Sequence, residues 1–388
     1  MSRFLQLHLL TSYPPANLNR DDLGRPKTAK MGGVDRLRVS SQSLKRTWRT
    51  SDVFADALNA PLGERTKLFG TQIFLHLISK GVAFKKAVQT AKQISGVFGK
   101  NEAAADLKKV KDDEKEKMLA KLQKKWSARD KDNLGVAAYS LEQLNELEVL
   151  DISQLAFVSI EEKKAAYALA DKVAQGEDIG DKLDVLRDTT SSVDIALFGR
   201  MLADNPSKNI EAACQVAHAI SVHSVVIEDD YFTAVDDLND HSNDAGAAHI
   251  GETGFAAGLF YSYVCINKEL LIENLNGDEA LANKAIQALT EAAVKVAPEG
   301  KQNSFGSRAY ASYVRAEVGN QQPRSLSVAF LKPVGKNVED YAVESIAALE
   351  LQAANFNKVY GDCYADSRVL NAITAEGSMQ ELLEFVTH

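Results

Sequence analysis

Residues 4–10 alternate, with Leu5, Leu7 and Leu9 on one face and Gln6 and His8 on the other, the period of a half-buried strand. The stretch that follows holds Pro14, Pro15, Gly24, Pro26, Gly32 and Gly33 and predicts a long irregular loop; loops of that length are usually functional or disordered. At Val39 the pattern changes. Ser40 and Ser41 are good helix caps, Gln42, Lys45, Arg46 and Arg49 recur at helical spacing on one face, and Leu44 and Trp48 turn toward a core. From 60 to 180 the pattern is almost wholly helical, predicting one inserted helical module. Strand-like segments return at 192–198, 217–227 and 258–266. Helical stretches at 278–297 and 337–354 flank a weaker strand candidate at 309–318. Strands early and late in the chain, separated by a helical insertion, predict one discontinuous α+β domain. No repeat occurs at a fixed period.

Composition narrows the class. The chain has 388 residues, 45% hydrophobic and 25% charged, enough for a sizeable core and two or three modules. With 23 Gly and 8 Pro it is neither collagen-like nor a Pro-rich disordered chain. The opening apolar run is interrupted by Gln6 and His8 and is too short for a signal peptide. No window holds the roughly 18 apolar residues of a membrane helix, so the expected location is cytoplasmic, with no membrane partner. Cys214, Cys265 and Cys363 are odd in number and form no CxxC, which points to buried or incidental thiols instead of disulfides or a zinc site.

Charge changes the picture more. The net charge is −8, which alone argues against a nucleic-acid partner. Between residues 3 and 49, however, lie ten basic residues and three acidic ones, a local +7 that leaves −15 for the remainder. Residues 224–267 hold eight acids and no Lys or Arg. One piece is built to meet anions and another avoids them or meets cations. The basic loop leading into SSQSLKR offers backbone N–H groups at a helix start, serine hydroxyls, and Lys45, Arg46 and Arg49 one turn in. That is a phosphate-binding arrangement without base readout, or else a capped helix with a solvated basic face.

The blocks FLQLHLL, NLNRDD, VDRLRVSSQSLKR, VDIALFGRM, YFTAVDDL and AAHIG, in that order, resemble the CasC family, the backbone subunit of the type I-E CRISPR surveillance complex called Cascade. The resemblance implies an RNA-recognition-motif-like palm at 1–60, 181–222 and 257–388, helical fingers at 61–180 and a β-hairpin thumb at 223–256. It implies a non-catalytic subunit without cofactor or metal that polymerises head to tail along a CRISPR RNA. Its partners would be that RNA, target DNA paired with the guide, further copies of itself and the other type I-E Cascade subunits. Carried over by position, Asn19, Arg20 and Lys27 in the first loop, and Ser40, Gln42, Lys45, Arg46 and Arg49 around the helix start, would contact the guide backbone. Arg200 would join them, with Met201 against a guide base. Tyr231, Phe232 and Val235 would wedge at a flipped position, and Lys301 and Gln302 would add backbone contacts. A protein that holds any guide takes its binding energy from phosphates and stacking.

Other readings compete. Tyr231 and Phe232 also fit as hairpin residues packing on their own domain. The acidic stretch fits either a solvated hairpin or a surface attracted to the basic loop of another copy. The insert carries ten basic residues against seven acids between 106 and 132, a face for duplex DNA or a solvated helix laced with i,i+4 pairs. Asp236, Asp237, Asp240, His241 and His249 are metal-like in type, but their spacing matches no zinc helix or EF-hand. Asp21 or Asp22 is the candidate for an alternative, a metal-dependent ribonuclease on the same palm. A standalone single-stranded nucleic-acid-binding protein is the other.

Overall fold

The computed structural model describes residues 2–60, 62–234, 249–335 and 337–388; Val235, Asp236, Asp237, Asp240 and His241 lie outside them. The chain opens with β1 (Phe4–Ala16), the hairpin β2 (Thr28–Met31) and β3 (Val34–Val39), then α1 (Ser41–Arg49) and α2 (Asp52–Leu58). Next come β4 (Glu64–Thr66), α3 (Phe69–Ser79), α4 (Phe84–Gly96), α5 (Asp112–Arg129), α6 (Leu141–Glu146), β5 (Ala156–Val158), α7 (Ile160–Ala174) and α8 (Val193–Phe198). The chain continues through β6 (Cys214–Val216), β7 (Ala219–Ser221), β8 (Glu228–Ala234), β9 (His249–Asn267), α9 (Lys268–Asn274), α10 (Glu279–Lys295) and α11 (Gln302–Phe305). It ends with β10 (Ala311–Gly319), α12 (Tyr341–Tyr360), β11 (Asp366–Asn371) and α13 (Met379–Phe385).

Two compact units result. The first comprises Met1–Asn59, Ala213–Ile272 and Asp278–His388; the second comprises Ala60–Ala212 and Glu273–Gly277. The first is built on an antiparallel sheet in the order β11-β10-β1-β9-β7-β3-β2, with β6 and β8 also paired to β9. The α+β class read from the sequence holds.

β1 departs from expectation in being buried on both faces. Leu5, Leu7 and Leu9 are buried, but so are Gln6 and His8, because α12 and residues 324–330 cover the face expected to be wet. Polar side chains there find partners: Tyr263 donates to Gln6 Oε1 at 2.9 Å, and His8 Nδ1 lies 2.9 Å from the Tyr261 hydroxyl, while His8 Nε2 has no hydrogen bond among the described residues. Glu317 receives Arg315 at 2.7 Å and also Arg324. Burial pushes the Glu317 carboxyl up, yet His8 Nε2 at 3.6 Å and the hydrogen bonds from Arg324 and Arg315 outweigh it and hold it below the usual range. α10, with Ala285, Ile286, Leu289 and Ala292 buried along it, packs on β10, α2 and α13.

The segment read as one irregular loop contains the end of β1 and the β2–β3 hairpin. Pro14 and Pro15 sit where the pairing of β1 with β9 loses register between Tyr13 and Ala16, so their missing N–H groups break no ladder. Arg36, counted among the basic residues, is fully buried and donates to the carbonyls of Ser221, Phe330 and Met31. It holds the hairpin in place and offers no surface charge.

The second unit is helical around Phe69, Phe74, Trp126, Leu147 and Ala166, and adds a short sheet of β4 with β5 that the periodicity did not announce. Residues 192–198, expected as a strand, form α8: Val193, Ile195, Ala196 and Leu197 are all buried, so a short apolar run carried no period to distinguish helix from strand. Within 217–227 only Ala219–Ser221 is extended and paired. The strand at 258–266 and the one at 309–318 appear within β9 and as β10, and the two late helices as α10 and α12.

Candidate nucleic-acid interface

The interface is built where β3 runs into α1. Ser40 caps the helix, accepting from the Ser43 N–H at 3.3 Å, while its own N–H donates to Asn19 Oδ1 at 2.9 Å. Leu44, Thr47 and Trp48 anchor the buried side of α1. Gln42 and Arg46 are exposed and Lys45 and Arg49 half-buried on the remainder of its surface. No acid occupies the first turn, so the positive end of the helix dipole is not offset there.

The first loop folds against this helix start. Asn19 fixes it twice, through its side chain and through its carbonyl, which accepts from the Lys27 N–H at 2.8 Å. Asp21 Oδ1 accepts from the amides of Leu23 and Arg25, both at 2.9 Å, so this carboxylate shapes the loop. Asn19, Arg20, Ser43 and Arg46 line a cavity of ≈ 470 Å³ together with the acids Asp21, Asp22 and Glu299. Gly300 closes it: a Cβ there would lie 2.1 Å from the Leu18 carbonyl oxygen, so only glycine fits. Lys301 follows immediately, and its Nζ donates to Thr253 Oγ1 at 2.5 Å. Gln302 is half-buried, and its amide reaches the Pro298 carbonyl at 3.5 Å.

Two further groups belong to the site and were not assigned to it from the sequence. β3 pairs with β7 through Arg38 opposite Ile220 and Val39 opposite Ala219, which brings His218 to the start of α1. Its Nδ1 accepts from the Ser41 N–H at 2.9 Å. Desolvation, then Arg38 and Lys27, push the His218 imidazole below its ordinary value, in keeping with a neutral ring that accepts. Lys27, Arg38 and His218 therefore surround the helix start. A strand register, invisible in the local sequence, decides this.

Arg200 and Met201 part company. Met201 is 76% exposed, but Arg200 is buried: Nη1 meets both carboxylate oxygens of the buried Glu162, at 2.5 and 2.6 Å, and Nη2 donates to the carbonyls of Arg187 and Lys208. The expected surface contact of Arg200 is corrected to a structural one that holds the loop carrying Met201. Glu162 is committed as well, through the capping box that starts α7.

β8 and the first part of β9 form a ribbon that continues out of the sheet. Tyr231 is 65% and Phe232 44% exposed. Phe232 lies opposite Gly251, and a Cβ at 251 would come within 2.3 Å of its ring. The acidic root of the ribbon has a partner in its own chain: Asp229 pairs with Arg25 at 2.9 Å. On α5, Lys125 pairs with Glu148 and Arg129 with Asp151, while Lys117, Lys121 and Lys124 are exposed at i, i+4 and i+7. Among the described residues, no group of three or more His, Cys, Asp or Glu is placed to hold a metal, and no helix is long and apolar enough to cross a membrane. Burial pushes the Cys214 and Cys265 thiols up to about 12 and about 11; both are buried and free.

A sheet that carries a cationic helix start beside a polar cavity, and runs on into an aromatic ribbon, defines an α+β protein with an anion-facing surface. The chain belongs to the CT1975-like protein family, whose model matches residues 5–384. The family-level resemblance drawn from the motifs is thereby borne out. Among solved structures, a chain of a "CRISPR RNA-guided surveillance complex, pre-nicking" is 26% identical with a TM-score of 0.76, covering 99% of both chains. A chain of a "CRISPR RNA-guided surveillance complex" shares the fold at 22% identity and a TM-score of 0.56, over 99% of this chain and 98% of that one. No curated protein matches the chain.

Proposed function

We propose that this protein is a non-catalytic, RNA-binding backbone subunit of a CRISPR RNA-guided surveillance complex, of the type I-E Cascade class, located in the cytoplasm. Copies associate head to tail along the CRISPR RNA with the other subunits and hold the guide for pairing with target DNA. The RNA-recognition-motif-like palm and the thumb at 223–256 belong to the first unit, and the fingers are the second unit, so that 181–212, read from the sequence as palm, go with the fingers instead. The observation that carries the reading is the cluster of Lys27, Arg38, Arg46 and the Ser40-capped start of α1, in a chain that matches a surveillance-complex chain end to end.

Each part has a physical task. The α1 start and first loop neutralise guide phosphates without reading bases. Met201, exposed on a loop held by Arg200, packs against a base. Tyr231 and Phe232 unstack the guide at intervals, a cost of a few kcal/mol repaid by protein contacts. The exposed Lys117, Lys121 and Lys124 hold incoming DNA by its backbone. Asp21, one of the two acids a ribonuclease could use here, gives its Oδ1 to two loop amides and so has a structural task that does not require cleavage.

The test is purification from a host that expresses a CRISPR array, with measurement of particle size and nucleic-acid content. A multi-copy particle carrying CRISPR RNA is expected; protein free of RNA in that preparation overturns the reading. Incubation of the particle with complementary RNA and divalent metal leaves the RNA intact if the subunit only binds.

A further inference from the structure

We propose that Arg25 is a guide-phosphate ligand held in reserve by Asp229, so that tethering of the ribbon root and RNA binding at the first loop exclude one another. The inference rests on the guide-binding reading above. In the ribbon, Asp229 lies opposite Gly254 and Asp230 opposite Thr253. Side chains on successive rungs point to opposite faces, so Asp229 and Thr253 look in opposite directions. Each meets a cation from the interface: Arg25 Nη2 is 2.9 Å from Asp229 Oδ1 and 3.3 Å from Oδ2, and Lys301 Nζ is 2.5 Å from Thr253 Oγ1. Phe255, on the Thr253 face, packs on Phe305 with ring centroids 6.1 Å apart. The root is thus gripped from both sides, by the first loop and by the 301–305 turn.

The grip on the Arg25 side is made to be exchanged. Both side chains of the pair are 42% exposed, and an ion pair so exposed is weak. Both contacts use one guanidinium nitrogen, whereas a phosphate can take the stronger two-bond fork and belongs to a polyanion. Asp21 holds the Arg25 amide independently, so the side chain can swing while the loop keeps its shape. RNA entering the first loop therefore takes Arg25 from Asp229 and frees that side of the ribbon, linking guide uptake to release of the aromatic arm.

The test is binding of a fluorescent single-stranded RNA to the full chain, followed by anisotropy. Asp229→Asn should bind about two- to fivefold tighter than wild type, the range an exposed pair allows. Asp230→Asn removes the same charge one rung away and should gain less. In an Arg25→Ala background the Asp229→Asn gain should vanish. Equal gains from Asp229→Asn and Asp230→Asn, a gain that survives Arg25→Ala, or weaker binding by Asp229→Asn would each overturn the proposal. Asp229→Ser carries the same expectation should the Asn variant misfold. A wild-type chain that binds no RNA at low salt would instead overturn the guide-binding reading itself.

Discussion

Lys268 is the residue with the clearest unmet need. It is 1% exposed, and its Nζ finds no hydrogen-bond partner among the described residues. Burial pushes its pKa down to about 8 from 10.5. Below pH 8 both folded and unfolded chains carry the proton, and the folded one bears the full cost of burying it. Between pH 8 and 10.5 the unfolded chain binds more protons, so this contribution to stability rises with pH. Lys268→Met, which keeps an unbranched chain of similar size, should raise the unfolding midpoint at pH 7 by about 2–4 °C. The gap between variant and wild type should close as the pH approaches 10; a gap that stays constant would show that packing, not charge, is responsible. Phe232 makes a second case, because its ring occupies space that only the missing Cβ of Gly251 leaves open. Phe232→Ala should leave guide retention unchanged and weaken target-DNA binding roughly 5- to 100-fold, the range of one lost stacking contact. Gly251→Ala, which displaces the ring, should behave the same way in a filter-binding titration. Arg200 shows where residue-scale reading stopped: a cation in a motif looks alike whether it faces RNA or Glu162, and its buried partner lies 38 residues away in sequence.

At the scale of elements, helix α1 was legible because all it needs is local. Ser40 caps it, Leu44 and Trp48 give it a buried side, and Arg46 and Arg49 suit its negative end. β1 was legible in type but not in setting: the partners that permit Gln6 and His8 to be buried come from Tyr261, Tyr263, Glu317 and Arg324, more than 250 positions away. α8 could not be read because six residues, nearly all buried, show no period. His218 joins the site through the β3–β7 register alone. Replacing Lys45 and Arg49 together by Ala should lower RNA affinity and flatten the plot of log affinity against log salt by about one to two units, as two phosphate contacts are lost. The unfolding midpoint by circular dichroism should move little, since partly exposed charges add little stability. A double variant that unfolds would assign the pair to holding α1 in place.

For the whole molecule, a net charge of −8 is compatible with the proposed guide-binding surface because residues 3–49 carry ten basic residues against three acids, a local +7. Affinity for single-stranded RNA should therefore fall steeply with salt and respond little to sequence. Five neutralised phosphates would cost roughly 100-fold between 50 and 200 mM salt. Titrations with two unrelated RNAs at each salt should superimpose, and a strong preference for one of them would point to base readout. The sheet order also imposes a timetable on manufacture. β1 lies between β9 and β10, and its Phe4 pairs with both Asn267 and Gly319. At about 5–20 residues per second a ribosome needs roughly 15–60 seconds after β1 emerges to supply the last of these partners. During that interval the second unit, whose residues 60–212 are contiguous, can already fold, while β1 waits with both edges open. A nascent chain therefore cannot seize RNA with a finished surface. On the guide-binding reading the newly made subunit meets its guide only after synthesis has passed β10, and until then β1, with Leu5, Leu7, Leu9 and Leu10 uncovered, is a natural client for a chaperone.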